Sequence, residues 1–188
     1  MPPAVPVPSV SAVEADARAS ADAEPPIGLW VDVVHEAGDW PQLPSLVAAT
    51  HAAAAAVAAE LGVTRRSACV ALSSDVEVAK LNAAYRGKPA PTNVLSFAAG
   101  ETPPGTKAQG PFLGDIGLAA ETVAREAEEQ GLPLVEHLQH LVVHGLLHLL
   151  GYDHQTDAEA DVMEALEVRT LARLGVADPY AESDASKP

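Results

Sequence analysis

Four histidines fall within the fifteen residues HLVVHGLLHLLGYDH, residues 140–154. His144 and His148 are four apart in an apolar run, and on a helix that spacing puts two imidazoles on one face, about a turn apart. Gly151 stands where a left-handed C-cap residue is expected, which reverses the chain. Tyr152 and Asp153 then carry it round so that His154 can return to the same point. Three neutral imidazoles with a fourth position left open describe a catalytic zinc site rather than a closed structural one. The expectation is therefore one zinc ion per chain on His144, His148 and His154, although imidazole also suits nickel, copper and iron. Zinc held in this way activates water at neutral pH. His140 and His137 precede the ligands by a turn or two and read either as their support or as surface residues. His35 and His51 belong to other elements and read as ordinary structural histidines.

The pattern H-x3-H-x5-H, with glycine between the second and third histidines, is the spacing of metzincin peptidases. In those enzymes a glutamate follows the first histidine and activates water. Gly145 occupies that position here and cannot act as a base, which argues against peptidase chemistry. A group that handles substrate charge is then required. Arg86 in YRGKPAPTNVLSF offers a planar donor fork suited to phosphate. Its alternative role is to complement the helix dipole at a C-terminus. Lys88, Thr92 and Asn93 follow it. Asp115 and Asp153 are the carboxylates placed to carry protons or to hold an imidazole N–H. Asp153 also reads as a turn residue and Asp115 as a structural hydrogen-bonding group on a strand.

These residues need a scaffold. A chain of 188 residues is long enough to bury one core. With 48% hydrophobic but only 4% aromatic residues, that core is built from Leu, Val and Ala. The strands read as residues 27–34, SACVALSS, TNVLSF and FLGDIGLA. A helix ends at Gly62, and another runs from Ser74 to Gly87 with a Ser74/Glu77 capping-box pattern. Further helices span Ala120–Gln130, Pro133–Leu150 and residues 157–175, the last with Val162, Met163, Leu166 and Leu174 turned inward. The fold class is α+β, a small four-stranded sheet packed with about five helices. Residues 1–26 are too rich in Ala, Pro and Ser to fold and read as a disordered tail. Residues 27–177 form the metal-dependent hydrolase domain, and 178–188 a polar tail.

The net charge of −15 comes from 11 basic and 26 acidic residues and argues against non-specific binding to nucleic acid. Residues 65–107 differ: six basic residues (Arg65, Arg66, Lys80, Arg86, Lys88, Lys107) face three acidic ones (Asp75, Glu77, Glu101), a local excess of positive charge. The single cysteine, Cys69, excludes an intramolecular disulfide. The N-terminus lacks the pattern of a signal peptide. The alanine-rich stretch 46–63 is too weakly hydrophobic for a membrane span. A cytoplasmic protein without a membrane partner is the expectation.

HGLLHLLGYDH, LNAAYRGKPAPTNVLSF and LGDI, in this order and spacing, resemble the YbeY family of bacterial endoribonucleases over roughly residues 27–175. The resemblance implies a zincin-like α+β domain with zinc on His144, His148 and His154. It implies single-strand-specific RNA cleavage, maturation of the 16S rRNA 3′ end and late ribosome quality control. The implied partners are single-stranded RNA, the 16S rRNA precursor and the ribosome or its proteins. Arg86 is implied to matter for function. Pro89 replaces the family's usual Asp, Ala98 and a long Gly/Pro loop replace a shorter segment beginning with Pro, and GLAAE follows LGDI. These departures bear on the RNA-binding side rather than on the ligands. Two other readings stay open: a non-enzymatic, zinc-stabilised ribosome-assembly factor, and a zinc metallopeptidase.

Overall fold

The computed structural model describes residues 28–99 and 111–181. The N-terminal tail expected over 1–26, and Glu101 and Lys107 of the basic segment, lie outside the described residues. Along the chain run β1 (Leu29–His35), α1 (Leu43–Leu61), β2 (Arg66–Ser73), α2 (Asp75–Arg86), β3 (Val94–Ala98), β4 (Phe112–Ala119), α3 (Ala120–Gln130), α4 (Leu134–Leu149) and α5 (Asp157–Leu174). The α+β class, the four strands and the five helices expected from the sequence are all present.

The sheet order is β1-β2-β4-β3. β1, β2 and β4 are parallel, and β3 pairs antiparallel with β4 as an edge strand. One face carries the main core. There Val31, Val70, Leu72, Ile116 and Leu118 meet Leu46, Ala53 and Val57 of α1 and Leu138, Val142 and Leu146 of α4. Met163, Leu166 and Leu171 of α5 complete it. On the other face Val78 of α2 packs with Leu95 and Ala119. α1 meets the length and hydropathy of a membrane span, yet it carries seven buried residues and packs against α4, α5 and β1, as a core helix does.

Two local expectations are corrected. Val162 is 53% exposed. The buried face of α5 runs through Met163, Leu166, Glu167, Thr170 and Leu171, and at 3.6 residues per turn Val162 falls roughly 100° from Met163. The Ser74/Glu77 capping box forms by half. Ser74 accepts from the Glu77 N–H at 3.4 Å, but the Glu77 carboxylate pairs with Lys80 at 2.7 Å. The complete box belongs to α5, where Thr156 and Glu159 satisfy each other's backbone N–H.

β3 sets up the site. Ser96 faces α4, its hydroxyl 3.4 Å from the Gly145 carbonyl. Its neighbour Phe97 points to the other face, where its ring lies 5.0 Å from that of Tyr85 near the end of α2. Asn93 donates to Glu126 of α3, and the same oxygen of Glu126 meets His137 near the start of α4. α4 therefore begins beside the start of β3 and ends beyond Gly145, toward the other end of the sheet. In its first turn α2 sets Val78 beside Ala119, and in its last turn Tyr85 beside Phe97. The C-termini of α2 and α4 thus come to the same end of the sheet, on either side of edge strand β3.

Candidate metal centre

α4 presents His144 and His148 a turn apart, and its termination delivers His154. Gly151, at φ +90°, is the left-handed residue that the sequence calls for. Its N–H donates to the His148 carbonyl at 2.9 Å, and the Tyr152 N–H to the Leu147 carbonyl at 3.0 Å. This pair of bonds is a Schellman motif. Tyr152, just past it, packs on the main core. Asp153 then shapes the approach of His154, accepting from the His154 backbone N–H at 2.8 Å and from the Gln155 amide at 2.6 Å. These bonds outweigh the opposing effect of burial and hold the Asp153 carboxyl below its ordinary range.

The three imidazoles converge. Their centroids lie 4.6 Å (144–148), 5.5 Å (144–154) and 5.1 Å (148–154) apart. One donor atom from each lies within 4.8 Å of the others. His144 and His148 bring their Nε2 atoms to 3.0 Å. A tetrahedral ion about 2.0–2.1 Å from each nitrogen would space them roughly 3.3 Å apart. The donor set and its spacing therefore fit a metal ion.

The outer nitrogens decide the tautomer. His148 Nδ1 lies 3.0 Å from the Tyr152 carbonyl, which can only accept, so Nδ1 carries the hydrogen. His144 Nδ1 lies 2.6 Å from Glu167 Oε1. With the hydrogen on Nδ1, a neutral ring at either position turns its Nε2 lone pair toward the cluster, as metal ligation requires. Burial, helped by the neighbouring charges of His144 and His154, lowers the His148 pKa and favours that neutral form. Glu167 has only 1% of its side-chain surface exposed. Burial alone would raise its pKa. The favourable contacts with His140, His144 and Tyr180 overcome this and bring it down to about 2. The Tyr180 hydroxyl donates to Glu167 Oε2. His140 Nε2 lies 3.6 Å from the same oxygen, within ion-pair range but long for a hydrogen bond.

Other residues singled out in the sequence fall in different places. Arg86 is exposed at the end of α2 and has no hydrogen bond, ion pair or ring contact among the described residues. It shares the triad's end of the sheet, across β3. Asp115 points away from α4, because its neighbour Ile116 is the residue that meets Gly145. It lies in register with Cys69 and Phe97. Burial, with the Asp115, Asp32 and Glu36 carboxylates, pushes the Cys69 thiol up. Neither Asp115 nor Asp153 holds an imidazole N–H; Glu167 and the Tyr152 carbonyl do. His137 is buried on Glu126 at 3.0 Å. His35 and His51 each bond a backbone carbonyl, of Gly38 and Val31. The sequence reading missed Glu167, although a signal exists: it sits four residues from both Met163 and Leu171, a lone acid in the middle of an apolar helix face.

Gly145 has a packing reason to be glycine. A Cβ there would lie 2.9 Å from Ile116 Cδ1 and 3.1 Å from both Ile116 Cγ2 and Ser96 Oγ. The position that carries glutamate in metzincins is here pressed against the sheet.

The profile of the family described as Endoribonuclease YbeY matches residues 43–175. The chain belongs to this family. The YbeY match spans α1 through α5 and includes all three histidines. Among curated relatives bearing the same description, that of Parvibaculum lavamentivorans is 49% identical over 159 residues, covering 81% of this chain and 85% of its own. That of Maricaulis maris is 46% identical over 155 residues, covering 82% and 93%. That of Rhodopseudomonas palustris is 50% identical over 145 residues, covering 74% and 73%. The solution structure of TM1509 from Thermotoga maritima superposes with a TM-score of 0.51 at 23% identity, covering 84% of this chain and 99% of that one. This last likeness concerns the fold.

Proposed function

We propose that the chain is a zinc-dependent endoribonuclease that cuts single-stranded RNA, acting in the cytoplasm on the 3′ end of the 16S rRNA precursor and in quality control of late ribosomes. Membership of the YbeY family supports the reaction class. The observation that carries the mechanism is the convergence of His144, His148 and His154, with two outer nitrogens already occupied by acceptors. These three residues would hold the ion. When bound, zinc supplies a Lewis acid that activates water and polarises a phosphoryl oxygen at neutral pH.

The chain's own residues do the rest. The Tyr152 carbonyl and Glu167 fix the rings of His148 and His144. Asp153 fixes the turn that brings His154 in. Arg86, at the same end of the sheet and without a protein partner among the described residues, is available to bind a phosphate oxygen and to offset negative charge that builds during cleavage. An RNA strand crossing the edge of β3 would meet the triad on one side and Arg86 on the other. Asp115 faces Cys69 and has no part in this proposal. The pressed position of Gly145 disfavours the peptidase reading.

The test compares cleavage of a single-stranded RNA by zinc-loaded wild type, His148→Ala and Arg86→Ala, with fold and metal content verified. The wild type should cut, the histidine variant should lose both zinc and cleavage, and the arginine variant should keep zinc and lose cleavage. Equal cleavage in all three would trace the activity to a contaminant and defeat the proposal.

A further inference from the structure

Glu167 is the most deeply buried acid in contact with the triad, and a carboxylate in that setting is costly unless its oxygens are occupied. They are. Oε1 meets His144 Nδ1 at 2.6 Å, and Oε2 takes the Tyr180 hydroxyl and lies 3.6 Å from His140 Nε2. Tyr180 arrives from beyond the end of α5. Gly175 closes that helix at φ +74°, the Val176 N–H bonds back to the Leu171 carbonyl at 3.1 Å, and the chain returns toward α4. Asp178 accepts from the Tyr180 backbone N–H at 2.8 Å, which sets the turn. The Tyr180 ring then stands edge-on to His140, centroids 6.2 Å apart. With His137, His140 and Glu126 it lines a pocket of about 760 Å³ beside α4. The residues after 177, which the sequence suggests are a polar tail, thus supply a side chain that reaches the proposed ligand His144 through two hydrogen bonds, by way of Glu167.

We propose that Glu167, oriented by Tyr180, is a positioning residue of the metal centre, so that the Asp178–Ala181 segment is a working part of the site. This rests on the reading of the triad as a metal centre. The hydrogen bond from Tyr180 fixes the rotation of the carboxylate. The carboxylate then holds the hydrogen on His144 Nδ1 and turns the Nε2 lone pair toward the ion. It also raises the basicity of that ring. Outer partners of this kind typically change metal affinity by about 10–100-fold when removed.

The test is metal binding, which needs no RNA. Full-length wild type, Glu167→Gln, Tyr180→Phe and a control, Asp161→Asn on the exposed side of α5, are stripped of metal. Each is titrated with zinc against a chromophoric chelator, and cobalt-loaded samples are read by visible absorption. Glu167→Gln should weaken zinc by about 10–100-fold. Tyr180→Phe should weaken it in the same direction by a smaller factor. Both should shift the cobalt bands, and the control should match the wild type. Should Glu167→Gln fail to fold, Tyr180→Phe decides alone. Folded variants with wild-type affinity and wild-type cobalt bands overturn the proposal and leave the metal centre standing. A wild type that takes up neither ion overturns the metal centre, and the proposal with it.

Discussion

Replacing Gly145 by Glu would restore the metzincin pattern in sequence, and the structure says that it should break the fold instead. The first added atom, Cβ, already lies 2.9 Å from Ile116 Cδ1 and 3.1 Å from Ile116 Cγ2 and Ser96 Oγ. Ile116 is fully buried, at 0% exposure, so it has little room to give. Overpacking of a core by a methyl-sized group costs about 1–3 kcal/mol. Glycine to alanine within a helix returns about 1 kcal/mol through propensity. Gly145→Ala should therefore fall between neutral and a loss of about 2 kcal/mol. Beyond Cβ, glutamate adds a methylene and a carboxylate to a buried contact; the extra volume crowds it further, and a buried polar group without a partner costs roughly a further 1–3 kcal/mol. The combined loss of about 4 kcal/mol or more approaches the whole stability of a small domain. Urea unfolding followed by circular dichroism, in the presence of a chelator, would rank the three proteins. The reasoning is refuted if Gly145→Glu unfolds within about 1 kcal/mol of wild type. Peptidase activity in a stably folded Gly145→Glu protein would be a second refutation.

Other consequences follow from the same structure. Gly114 sits at φ +137°, and a Cβ there would lie 2.0 Å from the Phe97 carbonyl oxygen; Gly114→Ala should cost more than about 3 kcal/mol, measured by the same unfolding assay. Thr156→Ala removes the capping box of α5 and should cost about 1 kcal/mol, visible as a shift in urea midpoint. Cys69 has its thiol pKa raised, first by burial and then by Asp115, Asp32 and Glu36. Its thiolate should therefore be scarce at neutral pH, and the pH profile of its alkylation rate should lie above that of an ordinary thiol. Asp115→Asn should move that profile to lower pH while leaving zinc binding unchanged; an unmoved profile would contradict the placement of Asp115 beside Cys69.

Much of this was legible in the sequence because the signals are local. The i, i+4 spacing of His144 and His148 and the glycine at 151 prescribe a helix, a left-handed turn and a returning ligand, and the backbone follows that prescription. FLGDIGLA and Ala120–Gln130 were bounded by composition and by Gly131. The supporting residues were harder because they depend on tertiary contacts. Asp153 and Asp115 are near the motifs in sequence or in family pattern, and so attract a role. Strand alternation turns Asp115 to the far face, and the turn itself absorbs the Asp153 carboxylate. Glu167 is 13 positions beyond His154 and Tyr180 further still; only the packing of α5 on α4 brings them to His144. A charged residue centred on an apolar helix face was the available hint. The relation of Arg86 to the triad likewise depends on α2 and α4 ending at the same end of the sheet, which no single segment encodes.

The most direct test of the account is a titration of metal-stripped protein with zinc, measuring bound metal and single-stranded RNA cleavage on the same samples. Cleavage should be absent without metal, rise in proportion to bound zinc and stop rising at one ion per chain, and a His154→Ala protein should follow neither curve. Full cleavage by protein verified to carry no metal would contradict the claim that the three histidines form the catalytic centre.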